Sequence, residues 1–212
     1  MKTEQLELTF RMPEKRIKTK IEKQHPDFAM QVRTLVNASQ QIHDGDEYES
    51  LIGRITAVIK RHSGEISIQN QLFVDQMALI NDEELDFEVE DWGGVAYQKA
   101  DVKKHIREKY LLVRQSIDPV GTLWLEYHKE KHEHLTFEAG YGLITTSEPS
   151  QWETGQLSVA FTGPHDRFTL NPGNVHGIIA LTDLAVFEQS DSSLKSDIYS
   201  VFPKPARGNP AG

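Results

Sequence analysis

From Asp91 onward the chain breaks into short β-type runs separated by turn residues: KYLLVRQSI, then DPVG, TLWLEYH, LTFEAGYGLIT, LSVAFTG, DRFTL and GIIALTDLAVFEQ. Strands at this close spacing can bury their apolar faces only against one another, as a sandwich or barrel. No helix of ordinary length is needed after residue 108, so this half reads as all-β.

The first 90 residues have a different texture. LELTF near the N-terminus reads as a short edge strand, and the basic run EKRIKTKIEK as a solvated arm. Asp27 stands where an N-cap would, ahead of Phe28, Val32, Leu35, Val36 and Ile42 at helical spacing. Asp46, with Glu49 three residues on, starts a second helix whose stripe is Tyr48, Leu51, Ile52, Ile55, Val58 and Ile59. Residues 65–80 fit strand alternation at Ile66 and Ile68 but helical spacing over their greater length, and helix is favoured. The acidic run NDEELDFEVED, residues 81–91, marks the expected boundary. The expectation is an α+β protein: a mainly helical region over 1–90, a β-barrel over 91–202 and a mobile Pro/Gly-rich tail over 203–212.

Composition restricts the chemistry. The 212 residues with a 38% hydrophobic fraction suffice for a core. Twenty-three basic against 32 acidic residues give a net charge of -9, which disfavours nucleic acid and anionic membranes as partners and favours small molecules or proteins. With Cys 0, thiolate chemistry and disulfides are excluded, and any metal must be held by His and carboxylate. No apolar run reaches the ~18–20 residues of a spanning helix, and the charged N-terminus has no signal core, so a cytoplasmic location is expected.

The one dense set of metal-capable side chains is EYHKEKHEHLTFEAG, residues 126–140, to which LNPGNVHGI adds His176 after a Pro-Gly turn. A solvated, charged strand end is the plainest reading. One metal reading takes Glu126, His128, Glu133 and His176; another takes His132, His134, Glu138 and His176. On an extended chain Glu133 shares a face with Leu135 and Phe137, whereas the second set would turn those two apolar residues outward. Burial of Leu135 and Phe137 therefore favours Glu126, His128, Glu133 and His176.

The order of these residues resembles a cupin, a small jelly-roll barrel with one metal in its mouth. The first cupin motif, H-x-H, three or four residues, E, six residues, G, is matched by Glu126, His128, Glu133 and Gly140, with glutamate in place of the first histidine. The second, P-x-G-x-x-H, is matched by NPGNVH, where Asn171 replaces the proline, Gly173 keeps its place and His176 is the ligand. Residues 91–202 are most similar to the cupin domain of type II mannose-6-phosphate isomerases. They share a Trp92-Gly93 element with Tyr97, the basic strand LLVRQSIDPVG, Leu125-Glu126-Tyr127-His128, Glu133-His134, and a finish with Asp197 and Ile198 in register.

That resemblance implies a metal-dependent aldose–ketose isomerase acting on a sugar or sugar phosphate through an enediolate, with Zn, Mn, Fe or Ni as the divalent ion. It implies Glu126, His128, Glu133 and His176 as ligands and Arg114 and then Lys109 as phosphate contacts; a homodimer is a separate expectation, with residues 27–80 as a partner-binding or dimerisation module. The proton-transfer residue is not dictated by spacing: Glu133 is one option, and His165 in GPHDRF reads as a surface histidine. Cupins also include oxygen-using metal enzymes and non-catalytic ligand sensors, and fold alone does not choose among them.

Overall fold

The structure, a computed structural model, describes residues 8–12, 18–39, 41–62, 86–90, 93–97, 106–112, 122–148, 154–191 and 195–203. Two six-stranded sheets face each other as a β-sandwich. One runs, in spatial order, β1 (Thr9–Arg11), β8 (Gln156–Thr162), β7 (Gly142–Thr146), β10 (His176–Ala180), β5 (Thr122–Tyr127) and β12 (Tyr199–Ser200). The other runs β2 (Asp86–Glu90), β3 (Gly93–Tyr97), β4 (Ile106–Leu112), β11 (Leu184–Ser190), β6 (Glu133–Ala139) and β9 (Arg167–Leu170). Pairing is antiparallel except between β1 and β8. Because the chain crosses between the sheets from β5 to β6, β6 to β7, β8 to β9 and onward, it brings strand ends from both sheets together.

The alternation in β6 decides which side chains face inward. Glu133, Leu135, Phe137 and Ala139 are buried while His134 is exposed, the pattern of a strand with one face on the core. Its neighbour β11 answers with buried Val186, Glu188 and Ser190.

Among the described residues three α-helices complete the fold: α1 (Lys20–Gln24), α2 (Pro26–Ala38) and α3 (Gly45–Arg61). Helix α3 is capped by Asp44, whose side chain accepts the Glu47 N–H at 2.9 Å, two residues earlier than the cap expected at Asp46. In α2, Pro26 takes the first turn and Asp27 lies inside the helix rather than capping it. Part of the basic arm is structured, because Ile21 and Glu22 of α1 are buried. Glu22 Oε2 accepts the Thr19 N–H and hydroxyl at 2.8 and 2.7 Å, and its Oε1 pairs with Arg33 of α2 at 2.5 Å. Among the described residues no helix is long and apolar enough to cross a membrane.

The helices share the sandwich's apolar core. Phe28, Val32, Val36, Tyr48, Leu51, Ile55 and Ile59 belong to one cluster with Phe10, Trp124, Phe161 and Phe202. Tyr48 is the hinge of that contact, stacked on Phe10 at 5.7 Å and edge-on to Trp124 at 4.9 Å. Strand β1 joins the edge of one sheet through β8, and β2, at Asp86–Glu90, pairs with β3. The boundary expected near residue 90 thus falls between two hydrogen-bonded strands, and the helical region lies against the sandwich. The helix expected over residues 65–80 and the tail from residue 204 lie outside the described residues.

Two outcomes follow for stability. The Glu22 carboxyl would be pushed up by burial, but its bonds to Thr19 and Arg33 outweigh that and hold it below its ordinary value of 4.5. A depressed carboxyl stabilises the fold above its unfolded pKa and loses that contribution as pH falls through the folded one. Glu22→Gln is therefore expected to lower unfolding free energy by about 1–2 kcal/mol at neutral pH, with the gap to wild type closing as denaturant titrations are repeated below pH 4.5. Among the described residues the buried Tyr48 hydroxyl has no hydrogen-bond partner, so Tyr48→Phe is expected to raise stability by about 1 kcal/mol and Tyr48→Ala to cost about 3–5 kcal/mol, read by the same titration.

Candidate metal centre

Glu126 stands near the end of β5, His128 just beyond it, and His176 opens β10 directly opposite Glu126 in the sheet register. The pairing is interrupted there: His176 faces Glu126 and Ile178 faces Leu123, so Trp124 and Leu125 together oppose Gly177. Such a bulge resets the alternation of the strand. It lets Trp124 pack on Tyr48 while Glu126, two residues later, reaches His176. A Cβ on Gly177 would come within 3.1 Å of the Leu125 side chain, so the tight crossing suits glycine.

Glu133 enters from the opposite sheet at the start of β6. Two glycines with left-handed backbone tie the arrangement together. Gly140 has φ 78°, and a Cβ there would stand 1.9 Å from the Asp183 carbonyl oxygen. Gly173 has φ 85° and donates its N–H to the His128 carbonyl at 2.7 Å, joining the two histidine segments. The Asn174 side-chain amide donates to the Ser147 carbonyl and steadies the turn before His176.

The two imidazoles share one orientation. His128 Nδ1 lies 2.9 Å from the Asp197 carbonyl oxygen, and His176 Nδ1 lies 3.4 Å from that of Asn174. A carbonyl only accepts, so each Nδ1 carries a proton, and each Nε2, when the imidazole is neutral, turns a lone pair to the interior. Those lone pairs meet a carboxylate: His128 Nε2 is 3.2 Å from Glu133 Oε1, His176 Nε2 is 3.3 Å from Glu133 Oε2, and Glu126 Oε1 is 3.9 Å from His176 Nε2. Among the described residues, His128 Nε2 and Glu133 Oε2 are buried with no hydrogen-bond partner assigned. Lone pairs facing each other in a low dielectric repel unless a proton or a cation lies between them.

Glu126, His128 and His176 bring one ligand atom each within 4.8 Å of one another, and together they could hold a metal ion. The spacing fits. Ligands about 2.1 Å from a metal stand roughly 3.0–3.4 Å apart in octahedral or tetrahedral geometry, which brackets the 3.2 and 3.3 Å contacts of Glu133, while the 3.9 Å from Glu126 to His176 is wider and would close on binding. The electrostatics agree in direction. Burial would lower the His128 pKa, but Glu133 beside it raises it above 6.5. Burial would raise the Glu133 carboxyl, yet the attraction of His176 and the hydrogen bond of His128, both in their protonated forms, and the Lys131 ammonium hold it well below the usual carboxylate range, the same pull on positive charge that an ion would meet.

Three residues of this centre lie outside the set read from sequence. Lys131, 7% exposed, places its ammonium 2.8 Å from Glu133 Oε1 and 2.6 Å from Glu188 Oε1. Burial disfavours that charge, but Glu188 and Glu133 more than offset it and raise the Lys131 pKa. Asp197 accepts the backbone N–H groups of Lys129, Glu130 and Lys131 at 3.0, 3.0 and 3.1 Å while its carbonyl orients His128. Lys131 reads in sequence as one more solvated charge, and Asp197 lies 66 residues from it.

The alternative set is dispersed. His132 is exposed and pairs with Asp191 at 2.9 Å, and His134 is exposed against Thr169. His165 is exposed in a turn at φ 77°. Lys109 sits in β4 as the register partner of Phe187, one position from the Glu108–Glu188 pair; Arg114 lies outside the described residues.

No family model and no curated protein matches the sequence. Among solved structures the chain is similar to the capsular polysaccharide assembling protein CapF from Staphylococcus aureus, at TM-score 0.47 and 15% identity over 56% of this chain and 34% of that one. It is similar to oxalate decarboxylase from Bacillus subtilis, at TM-score 0.46 and 18% identity over 56% of this chain and 30% of that one, a protein with Mn(II) centres. The oxalate decarboxylase of Lactobacillus farciminis gives TM-score 0.45 and 15% identity over 56% and 34%. The chain thus spans about a third of the length of these proteins, and at such scores the chemistry has to be read from its own residues.

Metal content separates the two ligand sets. After loading with a divalent ion and desalting, His128→Ala is expected to retain none and His132→Ala to retain the wild-type amount, measured by plasma emission; the reverse pattern contradicts the geometry. Asp197→Ala leaves three backbone donors without their acceptor and is expected to weaken metal binding about 10–100-fold, checked by calorimetric titration.

Proposed function

We propose that this chain is a metal-dependent cupin of jelly-roll topology that interconverts the aldose and ketose forms of a sugar or sugar phosphate. The observation that carries the reading is the convergence of His128 Nε2, His176 Nε2 and a Glu126 carboxylate oxygen, with Glu133 against both imidazoles. Mixed imidazole and carboxylate donors suit Zn, Mn, Fe or Ni. Such an ion, when bound, polarises a substrate carbonyl and its neighbouring hydroxyl, acidifying the hydrogen between them.

The protein's own groups supply the rest. His128 and His176 are buried and oriented through their Nδ1 bonds, so they hold position rather than carry protons. Glu133 is bound by Lys131 at Oε1, which removes it as a mobile shuttle. Glu126 is the most accessible carboxylate of the set, its side chain 21% exposed; with one oxygen offered to the ion, its other oxygen is assigned the transfer of a proton between adjacent substrate carbons. Arg114 is the candidate for a substrate phosphate and Lys109 the second.

The isomerase reading is tested by incubating the metal-loaded protein with aldose and ketose phosphates and the free sugars in deuterated water. Deuterium is expected at the carbon beside the carbonyl, detected by proton NMR, with the rate falling at least about 100-fold in Glu126→Gln. A filled metal site with no exchange from any sugar would replace the isomerase with a ligand-binding or oxygen-using cupin.

A further inference from the structure

We infer that Lys131 and Glu188 form a positioning pair for the metal centre: Glu188 anchors the Lys131 ammonium, and the ammonium occupies Glu133 Oε1 so that Glu133 presents Oε2. This rests on the metal reading above and extends it to residues outside the ligand set.

The pair bridges two strands. Glu133 stands in β6 and Glu188 in β11, which are hydrogen-bonded neighbours; Ser190 is opposite Glu133 and Glu188 is one pleat along on the same buried face. Lys131 enters from the loop before β6 and meets both carboxylates, at 2.8 and 2.6 Å. All three side chains are nearly sealed, at 8%, 2% and 4% exposure. Ion pairs so deeply buried give little net stability against an apolar replacement, because desolvation offsets the attraction. An interior ammonium shared between two carboxylates is better accounted for by the orientation it imposes.

That orientation matters at Glu133. A carboxylate can rotate and bind through either oxygen or both. With the ammonium on Oε1, which also lies 3.2 Å from His128 Nε2, rotation is blocked and Oε2, the oxygen the ammonium leaves open, stays 3.3 Å from His176 Nε2. The loop that carries Lys131 is itself held, since its backbone N–H donates to Asp197 at 3.1 Å. Glu188 keeps the lysine from following Glu133 toward the ligand side.

The test uses a charge-conserving double variant, Lys131→Met with Glu188→Gln, and Co(II) as the probe ion. Wild type is expected to bind Co(II) with a defined visible absorption band. The folded double variant, with the same net charge, is expected to bind about 10–100-fold more weakly with a shifted band, because Glu133 is free to change its mode. Unchanged affinity and spectrum would overturn the inference and leave a structural ion pair. Should the double variant not fold, Glu188→Gln alone is expected to weaken Co(II) binding and shift the band, and wild-type behaviour there again overturns it. Absence of Co(II) binding by wild type itself would instead remove the metal reading, and this inference with it.

Discussion

The structure depends on a carboxylate placed where it is expensive to leave uncompensated. Glu133 is 2% exposed and lies between two imidazole nitrogens and one ammonium. A buried carboxylate needs opposite charge or several donors to remain ionised. Lys131 supplies one positive charge, but Glu126 and Glu188 add two negative ones, so the described residues leave the centre with an excess of carboxylate. A divalent cation held by Glu126, His128 and His176 in their metal-binding forms would balance that excess.

The remainder of the molecule can be understood as holding those groups still. The bulge opposite Gly177 turns Glu126 to the interior and Trp124 to the helices. Asp197 reaches across from the chain's final segment to fix both His128 and the loop of Lys131. Gly173 ties the turn before His176 to the backbone of His128. Helices α2 and α3 put their apolar stripes into the shared core, backing the sheet that carries Glu126 and His176. Preorganisation of this kind is what a site that must not rearrange requires.

How much of this was legible in the sequence differs from residue to residue. Leu135 and Phe137 disclosed the face of Glu133, because two apolar side chains on alternate positions of a short strand have one place to go. The helical stripes Phe28–Val36 and Tyr48–Ile59 were equally plain from their periodicity, whereas Ile42, counted with the first, lies beyond the helix end and bridges to Leu8. Their caps were not: Asp44 and Asp46 both precede acidic partners at the right spacing, and only the backbone chooses Asp44. The bulge at Trp124 and Leu125 leaves no mark in composition, and alternation counted from Trp124 would have put the indole beside Glu126. Lys131 and Glu188 become partners only once β6 and β11 are paired, a fact of topology rather than local pattern.

The central claim is that one divalent cation sits among His128, His176, Glu126 and Glu133. Its most direct test is an anomalous difference map from crystals of the protein grown with Mn(II) or Zn(II), collected at the metal's absorption edge. The account predicts a single peak within about 2.0–2.3 Å of His128 Nε2, His176 Nε2 and a carboxylate oxygen of each of Glu126 and Glu133. A peak at His132 and Asp191 instead, or no peak between the two imidazoles, would contradict it.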